Sequence, residues 1–562
     1  GTLCAKGLAA VQLEYDPKRL KYPMKRAGER GAGEWKRISW GEALDTIAAK
    51  LREIKEEYGA QAVAYYRGAS SGWGFNWFIA KRFMAVFGSP NISTHSHLCS
   101  APRAIAHEHT YGDAPHPDFE NTKCILLWGY NPAYGYIDRA RRVIDAKERG
   151  ARLIVIDPRF TEMASKADVH VQPRPGTDGA LALGMLNLII NERLYDEEFV
   201  EKWTVGFDVL KKLVENYRPE NVEEITWVPA DLLCQVARTY GTTRPAVLED
   251  GNGLDQHTNV VQTVRALAIL RAITGNLDVV GGHVFVPPLN IADMTLREKI
   301  PEDAYEKSVS KRRLYFWEGR SVPGSELIDA ISTGEPYPIK AMIVQGGAPG
   351  IVLSNTNKVV SALKKVDFMV VHDIFMTATA ELADIVLPAT TFLEQSLLPT
   401  PQPNEALPVN NRIILLMNKV VEPLGECWSD FKLISELSKR MGYGDYFPWR
   451  NVEEAFDEEL APLGLTVKEL KEHPEGIIIE HTPEELYKRH ESRGFETSTG
   501  KVEIYSKVFE QEGYDPLPTY KEPAESPVSS PDVAREYPLV CGVGLKLGVF
   551  THTQFRTLPW LN

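Results

Sequence analysis

One pattern occurs twice in the chain and decides its fold: residues 123–157 read KCILLWGYNPAYGYIDRARRVIDAKERGARLIVID, and residues 339–373 read IKAMIVQGGAPGIVLSNTNKVVSALKKVDFMVVHD. Each stretch opens with a short apolar run typical of a buried strand, then passes through a glycine-containing turn into a helical pattern. Each closes with a second apolar run that ends in aspartate. The pattern predicts two β-turn-α-β units and an α/β fold class.

The spacings within the two units agree. Gly129 precedes Asp157 by 28 residues, and Gly346 precedes Asp373 by 27. After each aspartate a threonine, two alanines and a second aspartate recur at the same intervals. These residues are Thr161, Ala164, Ala167 and Asp168 in the first unit and Thr377, Ala380, Ala383 and Asp384 in the second. Five positions in register predict two related parallel-sheet domains.

The residues after the strands are candidates for a nucleotide site. In open α/β sheets nucleotides bind at the carboxyl ends of the strands. Asp157 and Asp373 are placed to accept hydrogen bonds from ribose hydroxyls or a guanine edge, and a threonine four residues later can contact a phosphate. The alternative is that both aspartates only cap local turns. Neither unit contains GxGxxG, so the NAD fingerprint is absent.

Composition excludes two classes of function. The 562 residues include 63 basic and 76 acidic side chains, a formal net charge of −13, whereas a protein that binds nucleic acid needs a basic footprint. The longest purely apolar stretches, such as 179–186, hold about eight residues, and a membrane-spanning helix needs about 20. We expect no nucleic-acid partner and no membrane span. A length prior of roughly 150 residues per domain predicts about three or four domains.

Residues 91–109 (NISTHSHLCSAPRAIAHEH) hold four histidines, an arginine and Cys99. Pro102 favours a helix that begins just after the cysteine. A thiol near a helix N-terminus and beside cationic side chains is biased toward the thiolate, which ligates metals or attacks electrophiles. From these residues alone, Cys99 is a candidate metal ligand, a candidate nucleophile or a structural thiol.

Three histidines and one arginine of this segment are candidates for proton transfer or substrate orientation, because histidine titrates near neutrality and arginine holds a fixed charge. They are His95, His97, His107 and Arg103. Among them His95, four residues before Cys99, is the preferred catalytic candidate. A histidine hydrogen-bonded within the core is the alternative.

Several longer motifs together resemble the molybdopterin oxidoreductases of the dimethyl sulfoxide reductase type. In chain order they are GTLCAKG (1–7), WKRISWGEALDTIAAKL (35–51), WGYNP (128–132), IDPRFTEMASKADVHVQPRPGTDGAL (156–181), HDIFMTATAELADIVLPATTFLE (372–394), FETSTGKVEIYS (495–506) and HTQFRT (552–557). The resemblance covers essentially the whole chain in the order of the family. It implies two related dinucleotide-binding-like α/β domains around a central cofactor.

The implied cofactor is bis(molybdopterin guanine dinucleotide) with Mo or W, and its two dinucleotides suit the two repeat units. Cys99 stands where a side chain of the family completes the coordination of the metal. Cys4 matches the last cysteine of a 4Fe–4S motif whose other ligands would precede this chain. Lys6 matches the lysine between cluster and pterin, where a cation can relay electron flow.

The resemblance also implies contacts to each arm of the cofactor. One guanosine arm would be contacted by Gly129, Asn131, Asp157, Arg159, Thr161, Gly176, Thr177 and Asp178. The other arm would be contacted by Gln345, Gly346, Gly347, His372, Asp373 and Thr377. Pterin contacts would come from His552, Gln554 and Arg556. Two positions depart from the family pattern: Ala348 replaces the asparagine often found before this proline, and Ser100 replaces the histidine that follows the metal ligand in formate dehydrogenases.

The resemblance divides the chain into segments. They are 1–40, the remnant of an N-terminal Fe–S domain; 95–285, the first α/β domain; 41–94 with 286–395, the second α/β domain; 396–530, which completes these two regions; and 531–562, the start of a β-rich C-terminal pterin-binding domain. The apolar run 537–541 is its predicted first strand. The chain begins without methionine and stops within a new element, so we expect it to continue beyond both ends.

The implied activity is a two-electron transfer of an oxygen atom, a sulfur atom or a hydride on a small-molecule substrate, with electrons passing through the 4Fe–4S cluster. The His-x-x-x-Cys arrangement resembles thiosulfate and polysulfide reductases. The stretch 175–203 resembles acetylene hydratases, so a non-redox tungsten hydratase is the alternative. A scaffold subunit that has lost its cofactor is a third class.

An Fe–S electron-transfer subunit and a membrane-anchor subunit are the implied protein partners, because electrons must leave or arrive. The compartment is cytoplasmic or periplasmic, and this sequence does not distinguish the two, since any export signal would lie upstream of this chain.

Overall fold

The predicted multi-domain α/β architecture is confirmed by the computed structural model, which describes residues 4–68, 74–319, 321–399, 407–542 and 554–561. The strands in these residues are β1 (Met24–Arg26), β2 (Trp35–Arg37), β3 (Val63–Arg67), β4 (Ile92–Thr94), β5 (His116–Pro117), β6 (Cys124–Trp128), β7 (Arg152–Ile156), β8 (Val169–Val171), β9 (Thr204–Val205), β10 (Ala246–Asp250), β11 (His283–Val284), β12 (Val322–Pro323), β13 (Ala341–Gln345), β14 (Phe368–Asp373), β15 (Ile385–Pro388), β16 (Asn411–Ile414), β17 (Ile477–Glu480) and β18 (Val502–Glu503).

The helices in the same residues are α1 (Ala5–Leu8), α2 (Ala10–Glu14), α3 (Trp40–Tyr58), α4 (Phe75–Phe87), α5 (Ala101–Tyr111), α6 (Pro132–Gly135), α7 (Ile137–Glu148), α8 (Asp178–Asn191), α9 (Glu197–Trp203), α10 (Phe207–Val214), α11 (Pro219–Thr226), α12 (Ala230–Thr242), α13 (Asn252–Asp255), α14 (Val260–Ile273), α15 (Arg313–Gly319), α16 (Gly324–Thr333), α17 (Pro349–Val352), α18 (Thr356–Leu363), α19 (Asp430–Arg440), α20 (Val452–Leu460), α21 (Val467–Glu472), α22 (Pro483–Leu486), α23 (Arg489–Arg493), α24 (Lys507–Gln511) and α25 (Pro531–Glu536). None of these described helices is long and apolar enough to cross a bilayer.

The smaller of the two main sheets has four parallel strands in the order β10-β6-β7-β8. Successive side chains of a strand point to opposite faces, so both faces of this sheet must be covered. Leu126 of β6 packs in the core formed with α8, α12 and α14. Its neighbour Leu127 packs on the other face with Val143 and Ala146 of α7. Helices on both faces explain why the strands are continuous apolar runs.

The larger sheet has eight strands in the order β12-β4-β3-β13-β14-β15-β1-β2. The parallel strands are β12, β4, β3, β13, β14 and β15, whereas β1 and β2 form an antiparallel edge. Ile343 of β13 packs in the core with α3, α4 and α19, and Val344 packs in the core with α16 and α18. The larger sheet is therefore covered on both faces in the same way.

The repeat is wider than the sequence indicates. The order β10-β6-β7-β8 in the smaller sheet corresponds to β3-β13-β14-β15 in the larger one. Strands β10 and β3 lie outside the repeated stretches, so the residue spacing did not predict them. They occupy equivalent places beside the first strand of each unit. Each repeat unit thus has four strands, the fourth contributed by a distant part of the chain.

The outer segments join these two sheets. Residues 24–37, within the segment expected to be an Fe–S remnant, supply β1 and β2 to the larger sheet. From the segment 396–530, α19 packs against the larger sheet, and Val502 packs in the core of the smaller one. The domain boundaries themselves stay a prediction.

The strand predicted over 537–541 is wrong. Helix α25 ends at Glu536, and the described residues after it form no strand. Leu539 is 89% exposed. An apolar run forms a strand only when a neighbouring strand satisfies its backbone groups, and no strand of the described chain pairs with this one.

Candidate functional site

Both repeat units end their first strand in the same turn. Gly129 follows β6 with a φ of 57°, and Gly346 follows β13 with a φ of 51°. These left-handed values favour glycine. Gly129 donates its N–H to the carbonyl oxygen of Ile156 at 2.9 Å, and Gly346 donates to His372 at 2.9 Å. Each turn is therefore tied to the end of the neighbouring strand.

A second glycine lies against each turn. Gly251 follows β10 and donates to the last carbonyl of β6, and Gly68 follows β3 and donates to the last carbonyl of β13, both at 2.9 Å. A Cβ on Gly251 would collide with the carbonyl oxygen of Gly129, and one on Gly68 would collide with that of Gly346. Because these glycines have no Cβ, a ligand can approach the backbone closely at the strand ends, as a dinucleotide site requires.

Asp157 and Asp373 follow or end the second strand of each unit, and both cap the turn after it. The Oδ1 atom of Asp157 accepts the N–H of Arg159 at 2.8 Å. The Oδ1 atom of Asp373 accepts those of Ile374 and Phe375 at 2.7 and 3.2 Å. In the described residues the second carboxylate oxygen of neither aspartate has a hydrogen-bond partner. Turn capping and ligand binding are thus compatible, because they use different oxygens.

The surroundings of these carboxyl groups are low in polarity. Burial raises the pKa of Asp373 to about 6. Burial also raises the pKa of Asp157, while the N–H and charge of Arg159 oppose that shift. A carboxylate that is partly desolvated and half-bonded gains from donors supplied by a ligand.

The predicted threonines repeat as well. The hydroxyl of Thr161 accepts the N–H of Ala164, and that of Thr377 accepts the N–H of Ala380, both at 3.1 Å. Each hydroxyl accepts the N–H of the first residue of a short 3₁₀ turn. The hydroxyl can still donate its own hydrogen to a ligand oxygen. The two threonines therefore hold local structure whether or not they contact phosphate.

Other residues predicted for the first arm surround the end of β6. The amide of Asn131 donates to Glu162 at 2.9 Å, while its buried Oδ1 has no partner among the described residues. Arg159 lies 5.5 Å from the ring of Tyr134. Asn131 and Arg159 thus flank the turn that starts at Gly129.

The loop before α8 approaches the same strand end. Gly176 has a φ of 84°, and a Cβ there would lie 2.7 Å from Cγ of Pro523. Thr177 donates its hydroxyl to the carbonyl oxygen of Arg174 at 2.7 Å. Asp178 accepts the indole N–H of Trp128 at 2.8 Å, and burial raises the pKa of Asp178. The structure thereby brings Asp178 to the end of β6.

Both ring nitrogens of His372, a residue predicted for the second arm, have partners within the protein. Its Nδ1 contacts Asp430 at 2.9 Å, and its Nε2 contacts the carbonyl oxygen of Trp428 at 3.1 Å. Its side chain therefore holds the end of β14 in place, and the predicted contact of His372 with the cofactor stays a prediction. Gln345, also predicted here, is buried and accepts the hydroxyl of Tyr65 at 2.6 Å. Gly347 lies against Gly68: a Cβ on Gly347 would be 3.0 Å from the backbone nitrogen of Gly68.

Cys99 lies on the connection between the two sheets. Strand β4 of the larger sheet ends at Thr94, a 3₁₀ turn over Ser96–Leu98 follows, and α5 begins at Ala101. The half-buried Cys99 sulfur lies 3.7 Å from the amide nitrogen of Asn252, which follows β10 of the smaller sheet. Cys99 therefore stands where strand ends of both sheets meet, just before the predicted helix.

Arg103 and His107 face inward from α5, against the expectation that they meet substrate. Arg103 is paired with Asp255 at 2.6 Å. His107 is buried, contacts Arg271 at 2.9 Å, and lies 3.4 Å from Asp250. Burial lowers the pKa of His107. Both side chains belong to a buried ion-pair network behind the cysteine, so their roles are structural or positioning.

The other two histidines precede Cys99. His97 accepts the N–H of Gly324 through Nδ1 at 3.4 Å, and burial lowers the pKa of His97 to about 4. His95 is half-buried and directly follows the last residue of β4. His95 remains the predicted catalytic candidate because it lies at the strand end.

The N-terminal residues lie near the second unit. Cys4 is exposed and directly precedes α1, which contains Lys6. Ala9 and Leu13 pack with Leu558 and Leu561, and Phe375, two residues after Asp373, packs against the same cluster. Gln554 and Arg556 flank Phe555, another member of this contact. His552 lies outside the described residues. No group of three potential ligands for a metal ion occurs in the described residues.

Sequence reasoning missed Gly68, Gly251 and Asn252. A signal was present, since VAYYRG (63–68) and AVLEDG (246–251) are apolar runs closed by glycine, like CILLWG (124–129). Without the sheet order, however, nothing in those runs joins them to the repeat.

The structure thus has two related parallel sheets, joined by a connection that carries Cys99. A family model described as molybdopterin oxidoreductase matches residues 19–440, and the chain belongs to that family. The resemblance seen in the sequence motifs is therefore confirmed. The protein is an enzyme of a family whose cofactor is a molybdopterin that carries Mo or W.

Individual members of the family are similar to this chain in sequence and in structure. The chain is 34% identical to acetylene hydratase of Syntrophotalea acetylenica, over 97% of this chain and 77% of the relative. It is 30% identical to the thiosulfate reductase molybdopterin-containing subunit of Salmonella typhimurium, over 91% and 71%. The solved structure of acetylene hydratase from Pelobacter acetylenicus matches with a TM-score of 0.87 and 32% identity, covering 97% of this chain and 78% of that one.

Proposed function

We propose that this chain is the catalytic chain of a molybdenum or tungsten enzyme that transfers an oxygen atom, a sulfur atom or a hydride, with two electrons, to or from a small substrate. The position of Cys99 between the strand ends of both sheets carries the proposal. The cofactor is bis(molybdopterin guanine dinucleotide), with one guanosine arm at each strand-end site. When bound, it supplies a metal centre with soft sulfur ligands that changes oxidation state.

Each candidate site residue has its own proposed role. Asp157 and Asp373 accept hydrogen bonds from the guanosine arms through their open oxygens. Gly129 and Gly346 let the arms approach the backbone. Cys99 completes the metal coordination. His95, which directly follows β4, holds or moves a proton for the substrate.

The N-terminal segment would help to hold a 4Fe–4S cluster, which would supply electron transfer when bound. We assign Cys4 as one ligand of a 4Fe–4S cluster and Lys6 as the cation between cluster and pterin. The packing of Ala9 and Leu13 beside Phe375 supports this assignment, because Cys4 and Lys6 precede Ala9 by only a few residues and Phe375 follows Asp373 of the second strand-end site. An Fe–S subunit and a membrane-anchor subunit are the proposed partners. The name of the Salmonella relative, a molybdopterin-containing subunit, supports a multi-subunit assembly.

A hydratase is the second candidate. It is favoured by similarity to acetylene hydratase over 97% of this chain, in sequence and in structure. Hydration adds water across a triple bond and gives acetaldehyde from acetylene with no net electron transfer. Dye reduction or oxidation therefore separates the two candidates.

The test uses the full-length protein purified without oxygen. Mo, W and guanine are measured first, and we expect one metal and two guanines per chain. Thiosulfate is then offered with a reduced viologen dye, and acetylene is offered without dye. Substrate-dependent dye oxidation supports the oxidoreductase, and acetaldehyde formed without dye turnover supports the hydratase. Protein that contains neither Mo nor W overturns both and supports a scaffold.

A further inference from the structure

One guanidinium joins helix α5 to the loop after β10. Arg103 donates to the carbonyl oxygen of Asp250 at 2.7 Å, to Oδ1 of Asn252 at 2.6 Å and to Oδ2 of Asp255 at 2.6 Å. Its side chain is only 20% exposed, and that of Asp255 is fully buried. A planar fork of donors suits three acceptors at fixed angles, and a lysine ammonium does not reproduce it.

This contact decides which way the Asn252 amide points. Arginine has donors only, so the atom of Asn252 that faces Arg103 must be the oxygen. The NH₂ group then points away from Arg103, and its nitrogen lies 3.7 Å from the sulfur of Cys99. Without the guanidinium, the amide could rotate and present its oxygen to the sulfur.

The same loop lies against the turn at Gly129, which is proposed for the first cofactor arm. Asn252 follows Gly251, whose backbone is packed against Gly129. Behind the loop, Asp250 is held by Arg271 and His107. The loop is therefore fixed from two sides, and the orientation of the amide is set by the fold.

We propose that Arg103 is a positioning residue that acts through Asn252, whose N–H donates a hydrogen bond to the Cys99 sulfur and tunes the reduction potential of the metal. The inference rests on the proposed function, in which Cys99 ligates the metal. Hydrogen bonds to a ligating sulfur withdraw electron density from it and stabilise the more reduced metal. Loss of the N–H lowers the potential.

The experiment measures the midpoint potential of the metal by EPR-monitored redox titration of full-length holoenzyme, with metal and guanine contents alongside. We expect a more negative potential in Asn252→Ala. In Asn252→Asp, where a carboxylate oxygen faces the sulfur, the shift should be larger. Arg103→Lys keeps the charge but not the fork, and it should shift the potential in the same direction.

A double variant tests whether Arg103 acts through Asn252. In Arg103→Lys/Asn252→Ala the potential should equal that of Asn252→Ala alone. Arg142→Lys is the matched control, since Arg142 of α7 also makes a two-bond contact, with Glu120, which is no part of the loop that holds Asn252. Its potential should equal that of the unaltered protein.

The outcomes separate this inference from the proposed function. An unchanged potential in metal-loaded Asn252→Ala overturns the inference and leaves the proposed function standing. Additive shifts in the double variant overturn the role of Arg103. Unaltered protein without Mo or W overturns the proposed function itself. If Arg103→Lys fails to fold, the two Asn252 variants still decide whether the N–H acts on the sulfur.

Discussion

Asp157 and Asp373 occupy equivalent positions in two different sheets, and each caps its own turn with one carboxylate oxygen while the other oxygen has no partner in the described chain. The equivalence continues downstream. Oδ2 of Asp168 accepts the N–H of Leu153, and Oδ2 of Asp384 accepts that of Met369, both at 2.8 Å. The two units therefore share geometry as well as residue types.

Asp157→Asn and Asp373→Asn should weaken cofactor retention and leave the fold intact. The amide oxygen of asparagine still caps the turn, but the charge that binds ligand donors is lost. A charge-assisted hydrogen bond contributes about 1.5–3 kcal/mol, which corresponds to roughly 10- to 150-fold weaker retention. Guanine content after extended dialysis measures the loss.

Alanine at the same positions separates the two roles, since it removes the cap as well. We expect Asp157→Ala to lower the melting temperature in addition to the guanine content. If the guanine contents of all four variants match that of the unaltered protein, the assignment of the two arms is wrong.

Gly68→Ala and Gly251→Ala should each destabilise the protein. The new Cβ would collide with a backbone carbonyl oxygen that cannot move without breaking the turn. Overpacking of this kind costs about 1–3 kcal/mol. Thermal unfolding measures the effect, with Gly135→Ala as control, because a Cβ on Gly135 meets nothing within 4 Å. Equal melting temperatures for Gly68→Ala and the control would contradict the close approach.

Cys99→Ala should abolish turnover and leave the fold unchanged, because within the described residues the half-buried sulfur has one hydrogen-bond partner, Asn252. We expect a loss of more than about 100-fold, beyond the 10- to 100-fold typical of changes around a metal ligand. Turnover and circular dichroism are measured together. Cys234→Ala, at a half-buried position on α12, is the control. Undiminished turnover in Cys99→Ala eliminates this sulfur as the ligand.

Glu459 predicts a pH dependence of stability. Both carboxylate oxygens are buried and have no partner in the described residues, and burial raises the pKa of Glu459 from 4.5 to about 8. Between these pH values the native state holds a proton that the unfolded chain has released. The free energy of unfolding therefore falls as pH rises through this range, by about 1.4 kcal/mol for each pKa unit.

Glu459→Gln, which mimics the protonated form, should remove that pH dependence. The melting temperature of the variant should exceed that of the unaltered protein by an amount that grows from pH 5 to pH 9. Glu458→Gln on the same helix is the control, since Glu458 is exposed and its amide could still accept the indole N–H of Trp449. Parallel pH profiles for Glu459→Gln and unaltered protein would show that the carboxyl group is not buried as a neutral acid.

Much of the fold was predictable because its signals are local. The alternation that buries Leu126 on one face and Leu127 on the other lies within a single strand. The spacing from Gly129 to Asp157 reflects one strand, one turn and one helix. The predicted strand over 537–541 failed for the converse reason, because a strand also needs a partner that the local sequence does not supply.

The candidate site was only partly predictable. Asp157 and Asp373 were found because their spacing repeats, whereas the role of Arg103 was missed. Its partners Asp250, Asn252 and Asp255 lie about 150 residues away along the chain. Likewise, His372 matched the family pattern, but Asp430 and Trp428 occupy its ring.

The sequence by itself determined that two copies of one α/β unit exist and that each ends in an aspartate, because hydrophobic periodicity and residue spacing are properties of short segments. Only the tertiary structure decided that β3 and β10 complete the units, that Cys99, which follows β4, lies against the loop after β10, and that Asn252 turns its N–H toward the sulfur. Those facts depend on sheet order and on contacts between distant residues, and packing of the whole chain sets both.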